Sequence, residues 1–309
     1  MTKTRFSSLS QGAIALSLFF TVLCSSHAAL AQAMAPDSLR IVSIGGSVTE
    51  ILYALGLQDQ IVAVDDTSTF PPQALKEKPS IGYIRRLNAE GVLAVEPGMI
   101  ISEAGAGPVE AVDNLKAAGI PIIFIPTLYS PEGIVEKIEA VGAAVKAEKA
   151  AEKLAANVKA DLDLTAHVIS RIPEKERKKV LFLFSVRDGR LMVGGKNSHA
   201  AAITKMAGGT NLMQSIEGYK MVDDEALLSN PPDVILMMKS HGDAISNEDL
   251  AALPALAHSP AIKDNRIIRM DGMYLLGFGP RTAQAVKDLA KQLYPDSEAI
   301  RNLSLGERQ

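Results

Sequence analysis

The stretch from Gly133 to Ile172, GIVEKIEAVGAAVKAEKAAEKLAANVKADLDLTAHVISRI, decides how the rest of the chain is read. It holds no proline and is dominated by Ala, Glu, Lys and Leu, which are strong helix formers. One or two long helices are predicted there, and an unbroken helix from Glu148 to Arg171 would run about 36 Å at 1.5 Å per residue. On either side, short apolar runs alternate with longer amphipathic ones, as in α/β layers. Upstream strands are predicted at Arg40–Ile44, Ile61–Val64, Met99–Ile101 and Ile122–Ile125, with helices at Asn88–Val95 and Val109–Ala118. Downstream strands are predicted at Val180–Phe184, Leu191–Val193, Val234–Met238 and Ile267–Met270, with a closing helix at Arg281–Tyr294. Two α/β halves are thus separated by a helix, which is stiff and would hold them at a nearly fixed separation.

The ends of the chain read differently. Lys3 and Arg5, the apolar run Ala13–Leu23 and the small-x-small site Ala31-Gln32-Ala33 have the three-part layout of a secretory signal peptide, residues 1–33. The run is much shorter than the roughly 20 apolar residues that cross a bilayer. Val22-Leu23 ahead of Cys24 makes a poor lipoprotein signal. Loss of the leader, with its two cations and no acid, takes the net charge from −3 to −5. This acidity disfavours nucleic acid as a partner. Cys24 is the one cysteine, so the mature chain can form neither disulfides nor cysteine-ligated metal sites. That composition leans towards a periplasmic location.

Catalytic signatures are missing. Gly45-Gly46 lacks the remaining glycines of a dinucleotide fingerprint, Gly194-Gly195-Lys196 lacks phosphate-loop spacing, and no Gly-x-Ser-x-Gly occurs. His167, His199, His241 and His258 have no partners at metal-ligand spacing and are read as structural or surface residues. Ser47 and Glu50 are read as a capping box. A local pattern, Glu-x-x-Leu-x-x-x-Pro before an apolar strand, occurs twice, at Glu90–Pro97 and Glu225–Pro232. In both copies the acid falls in a first helical turn, where a carboxylate complements the helix dipole. The equal spacing suggests a pair of equivalent surface acids.

The segment Ile81-Gly82-Tyr83-Ile84-Arg85-Arg86-Leu87-Asn88 is the most informative, and on its residues alone it reads either as a surface loop with incidental Tyr and Arg or as a binding element. A tyrosine followed by two arginines is costly in a domain interior and makes physical sense at a cleft rim. A phenolate is a hard anionic oxygen suited to ferric iron, and tyrosine can hold haem iron. Arginines pair with carboxylates such as haem propionates through two hydrogen bonds. A second segment, Met273-Tyr274-Leu275-Leu276-Gly277-Phe278-Gly279-Pro280-Arg281, would either offer an apolar wall to a flat ligand or pack against the other half.

These segments carry a resemblance. Arg40-Ile41-Val42-Ser43 leading to Thr49-Glu50, Gly82-Tyr83-Ile84-Arg85-Arg86-Leu87-Asn88-Ala89-Glu90-Gly91, Gly194-Gly195-Lys196, Ala207-Gly208-Gly209, Gly218-Tyr219-Lys220 and Leu275 to Thr282 resemble the periplasmic haem-binding proteins of ABC haem importers. The likeness covers residues 38–295. It implies two Rossmann-like lobes, 34–145 and 173–309, joined by a backbone helix at 146–172. One haem b, as Fe(III), would lie in the cleft between them. It further implies Tyr83 as axial iron ligand, and Arg85, Arg86, Tyr274 and Arg281 as haem or propionate contacts. Arg85 is preferred over Arg86, because residues two apart in an extended loop share a side. Glu90 and Glu225 would dock on the permease dimer, which works with its ATPase subunits. The resemblance implies a monomeric periplasmic carrier and no enzyme. Cobalamin or a ferric siderophore is the alternative cargo, and an exported cofactor-using enzyme a more distant one.

Overall fold

Apolar runs too short for helices become strands, the central ones buried on both faces. The computed structural model describes residues 39–239 and 245–305; the leader, its cleavage site, Cys24 and His241 lie outside them. The first half runs β1 (Ile41–Ile44), α1 (Gly46–Ala54), β2 (Ile61–Val64), α2 (Gln73–Glu77), a 3-10 turn (Ile84–Arg86), α3 (Ala89–Leu93), β3 (Met99–Glu103), α4 (Val109–Ala117) and β4 (Ile122–Ile125). Its strands pair in parallel in the order β2-β1-β3-β4. Ile41 and Val42 face two different apolar clusters, which is why β1 is buried at every position.

The proline-free stretch folds as two helices, α5 (Pro131–Ala144) and α6 (Glu148–Ile169). The break falls at Lys146, whose φ of 57° no right-handed helix carries. Helix α6 buries Ala151, Ala155, Val158, Leu162, Thr165 and Ile169, a stripe at alternating steps of four and three. It crosses α5 closely, for a Cβ on Gly142 would stand 2.2 Å from Ala151 Cβ.

The second half runs β5 (Lys179–Arg187), β6 (Arg190–Gly194), α7 (His199–Met206), β7 (Thr210–Asn211), β8 (Tyr219–Val222), α8 (Asp224–Leu228), β9 (Val234–Met238), α9 (Asn247–Ala252), α10 (Pro260–Lys263), β10 (Ile267–Met270), α11 (Gly272–Leu276), α12 (Thr282–Leu293) and α13 (Glu298–Arg301). Its sheet is ordered β10-β9-β5-β6-β8, with β7 beside β5. β9 and β10 run parallel to β5, whereas β6 and β8 form an antiparallel wing. Helix α6 packs on α5 and also on α12 of the second half. One apolar cluster therefore passes from Ile41 and Val48 through Val158 to Phe182 and Leu289. The connecting helix is cemented into both halves, where the sequence suggested a strut between them.

The capping box expected at Ser47 and Glu50 does not form. Gly45 is the N-cap of α1 and has no side chain to offer. Ser47 Oγ donates to Glu103 and Glu50 pairs with Arg281, so long-range partners outcompete the local bond. Among the described residues, no helix is long and apolar enough to cross a membrane.

Candidate functional site

In parallel sheets, ligands gather beyond the carboxyl ends of the strands. Here the segments that follow β1 and β10 touch. Glu50 meets Arg281, and a Cβ on Gly46 would stand 2.6 Å from Met273 Cε. The segments leaving the carboxyl ends of β1 and β10 are therefore in contact across the two halves. The loops after β1 and β2 are pinned by Asp65, whose carboxylate accepts from the Gly45 N–H (2.9 Å), the Thr67 N–H (3.1 Å) and Ser68 Oγ (3.0 Å). Burial raises the Asp65 pKa, and these hydrogen bonds oppose the rise.

The Tyr83 segment lies over the ends of β2 and β3. The Ile81 N–H donates to Val64 O (2.9 Å), the Asp66 N–H to Gly82 O (2.9 Å), the Leu87 N–H to Gly107 O (2.8 Å) and the Gly107 N–H to Ile84 O (2.9 Å). Ile81, Ile84 and Leu87, three apart, sink into the apolar cluster of the first half. Burying each contributes about 1.5–3 kcal/mol, which turns Tyr83, Arg85 and Arg86 outward. Tyr83 is 37% exposed, and among the described residues its phenol makes no hydrogen bond and its ring no aromatic contact.

The argument from extended alternation for Arg85 fails, because Ile84–Arg86 is a 3-10 turn in which residues three apart eclipse. Arg85 is exposed like Arg86, and what distinguishes it is its neighbours. Its Nη1 would lie 3.6 Å from a Cβ on Gly105, and its charge acts on His199 of the second half.

His199 is the residue that sequence reasoning missed. It opens α7 behind Ser198, which caps the helix by accepting from the Ala201 N–H. Its ring lies 4.0 Å from Tyr129 of the first half and 5.5 Å from Phe278. Burial, with help from the Lys137 and Arg85 charges, lowers its pKa to about 4, so the imidazole is neutral at pH 7. The only signal in the sequence was its place after the Gly194-Gly195-Lys196 turn. His167 is exposed beside Arg171, and His258 is exposed.

Tyr274 and Arg281 have internal partners. The Tyr274 hydroxyl donates to Asp288 Oδ2 (2.8 Å), and burial followed by that bond raises its pKa. Arg281 is bound to Glu50, with its guanidinium 3.6 Å from the Phe70 ring centroid. Of the two readings of this segment, packing against the other half is the one observed at Arg281. On the second-half side, a cavity of about 650 Å³ lies at the carboxyl ends of β5, β9 and β10, lined by Phe184, Met237, Met238, Lys239 and Arg269 among others. Among the described residues, no cluster of three or more His, Cys, Asp or Glu forms a metal site.

The two surface acids adopt the same local geometry. Glu90 and Glu225 are each the second residue of a five-residue helix, α3 or α8, and both are exposed. Asn88 accepts from the Glu90 N–H (2.9 Å), and a shallow cavity of about 460 Å³ lined by Leu87, Asn88, Ala89, Glu90, Ala111 and Asn114 adjoins it.

The profile of the family described as "Periplasmic binding protein" matches residues 41–274. The apo structure of the periplasmic heme-binding protein RhuT from Roseiflexus sp. RS-1 is 36% identical, covers 85% of this chain and all of its own, and superposes with a TM-score of 0.79. An uncharacterized ABC transporter substrate-binding lipoprotein, YvrC of Bacillus subtilis, is 28% identical over 84% of this chain and 81% of its own. A vitamin B12-binding protein of Vibrio campbellii is 24% identical over 82% of this chain and 88% of its own.

Proposed function

The chain belongs to the periplasmic binding protein family, and on that premise we propose that it captures ferric haem in the interlobe cleft and delivers it to an inner-membrane ABC permease. The observation that carries this reading is the exposed Tyr83 phenol, held beyond the carboxyl end of β2 with no hydrogen bond among the described residues and with the exposed Arg85 and Arg86 beside it. A phenol oxygen supplies the donor that ferric iron prefers. Arg85 supplies a charge for a propionate, and Arg86 a second. Phe184, Met237 and Met238 give the opposite wall the apolar, polarizable surface that a porphyrin face needs. The likeness to RhuT supports haem over other cargo. Haem is cargo here, and the chain's role is binding and handover without chemical change.

Glu90 and Glu225 serve as the docking acids in this reading. Each stands at equal depth in a short helix, and the cavity beside Glu90 can receive a guanidinium head. The domain limits follow the connecting helix, with lobes at 34–145 and 173–309, export by the leader at 1–33 and a monomer as the working unit.

The test is a hemin titration followed by absorption spectroscopy. The parent protein is expected to bind one equivalent and to show the charge-transfer band of phenolate-bound ferric haem, and Tyr83→Phe to lose that band. An unchanged spectrum in Tyr83→Phe sinks the ligand assignment. Saturable binding of cobalamin with no response to hemin would instead favour the cargo of the Vibrio relative. Charge reversal at Glu90 and Glu225 together should abolish uptake and spare binding.

A further inference from the structure

A cleft that presents Tyr83 to a flat ligand needs its opposite wall at a set angle, and one helix leaves rotation about its ends undecided. The interlobe contacts address that angle. Arg281, the N-cap of α12, grips Glu50 twice: its N–H donates to Oε1 (2.8 Å) and its Nε to Oε2 (2.8 Å). Its guanidinium lies on the Phe70 ring, 3.6 Å from the centroid, with the Tyr274 ring 5.2 Å away. Glu50 and Phe70 belong to the first half, Arg281 and Tyr274 to the second.

A second cation works beside this pair. Lys137 of α5 is only 1% exposed, and its Nζ donates to Ser47 Oγ (2.9 Å), Glu103 Oε1 (3.4 Å) and Gly277 O (3.3 Å). The last of these lies in the second half. Backbone approach leaves little slack, for a Cβ on Gly279 would stand 3.2 Å from Ser47 Cβ. Phe278 is buried between the halves, its ring 6.0 Å from Tyr129.

We propose that Glu50, Arg281 and Lys137 form an interlobe clamp that fixes the cleft before any ligand arrives, so that they act as positioning residues for capture. A planar guanidinium held along one edge by a carboxylate and across one face by a ring has a single orientation. Swinging the halves apart would strip Glu50 of Arg281 and Gly277 O of Lys137, leaving the buried Glu50 carboxylate without its cation. The functional sense of the clamp rests on the capture role proposed above; its existence does not.

Pulsed electron spin resonance distances test it in the full chain with Cys24→Ser, which leaves no other cysteine. Labels are placed at Val109→Cys and Leu228→Cys, one exposed site in each half. The parent should give one narrow apo distance that hemin leaves unchanged. Arg281→Gln should broaden it, and Arg281→Lys, which keeps the cation, should restore it in part. If the competent orientation falls to a tenth of the population in Arg281→Gln, hemin affinity drops about tenfold. Should Arg281→Gln fail to fold by circular dichroism, the isosteric Glu50→Gln gives the same reading. A folded variant as narrow as the parent overturns the clamp, and so does a broad parent that narrows on hemin. A narrow parent that shows no hemin binding in an absorption titration would sink the capture reading and leave the clamp standing.

Discussion

Tyr83 to Arg86 and Tyr274 to Arg281 carry the same side-chain chemistry beside the carboxyl edges of two different sheets. In the first segment the phenol has no hydrogen bond among the described residues and both guanidinium groups are exposed. In the second the phenol is tied to Asp288, and the guanidinium is held by Glu50 and Phe70. The difference arises from what surrounds them. Ile81, Ile84 and Leu87 use the core to push their polar neighbours out, whereas Leu275 and Phe278 draw theirs in against the other half. Identical residue types thus separate into groups available to a ligand and groups that hold the protein together.

That contrast can be broken by substitution. The largest effect on stability is expected from Arg281→Ala, which leaves the Glu50 carboxylate buried and unpaired. About 3 kcal/mol should be lost, the low end for a buried pair because Arg281 keeps partial exposure; chemical denaturation measures it. Tyr83→Phe should do the reverse, with hemin affinity falling roughly 100-fold, or about 2.7 kcal/mol, while the melting temperature stays put. A drop in melting temperature matching that of Arg281→Ala would erase the distinction between the segments.

His199 sharpens the comparison, because it lies between the two regions. Its folded pKa, about 4, is below the unfolded value of 6.5. Between those values the unfolded chain takes up a proton that the folded one refuses, so stability falls as pH drops through this window. The half-buried ring should cost on the order of 2 kcal/mol by pH 4, and His199→Gln should flatten that part of the pH–stability curve. A smaller effect is expected at Arg85→Ala, with about tenfold weaker hemin binding and less from Arg86→Ala; equal losses in a titration would remove the case for Arg85 facing the cleft. Tyr274→Phe should be smallest, costing about 1 kcal/mol for its hydrogen bond and leaving hemin affinity intact.

Much of the fold was legible. β2 (Ile61–Val64), β4, β9 and β10 fall where short apolar runs place them, and β2 and β9 are the ones buried along nearly their whole length. The repeated acidic pattern was equally visible, for both acids open helices as their spacing required. Local rules failed where distant partners compete. Ser47 and Glu50 fit a capping box, yet Glu103 and Arg281 take them. Arg85 was favoured on a rule for extended chain, but the backbone there turns as a 3-10 helix.

Composition and periodicity determined the α/β alternation and the helical connection, because short-range patterning fixes which surfaces must be buried, whereas Tyr83 was singled out by its Tyr-x-Arg-Arg segment and by the resemblance that segment carries. Only the tertiary structure decided that Arg281 is consumed by Glu50, that His199 stands between the halves as a neutral ring, and that α6 is packed into both of them. Those outcomes depend on residues as far apart as 50 and 281, and a hydrogen bond or ion pair across that distance leaves no mark on the local sequence until folding brings its partners together.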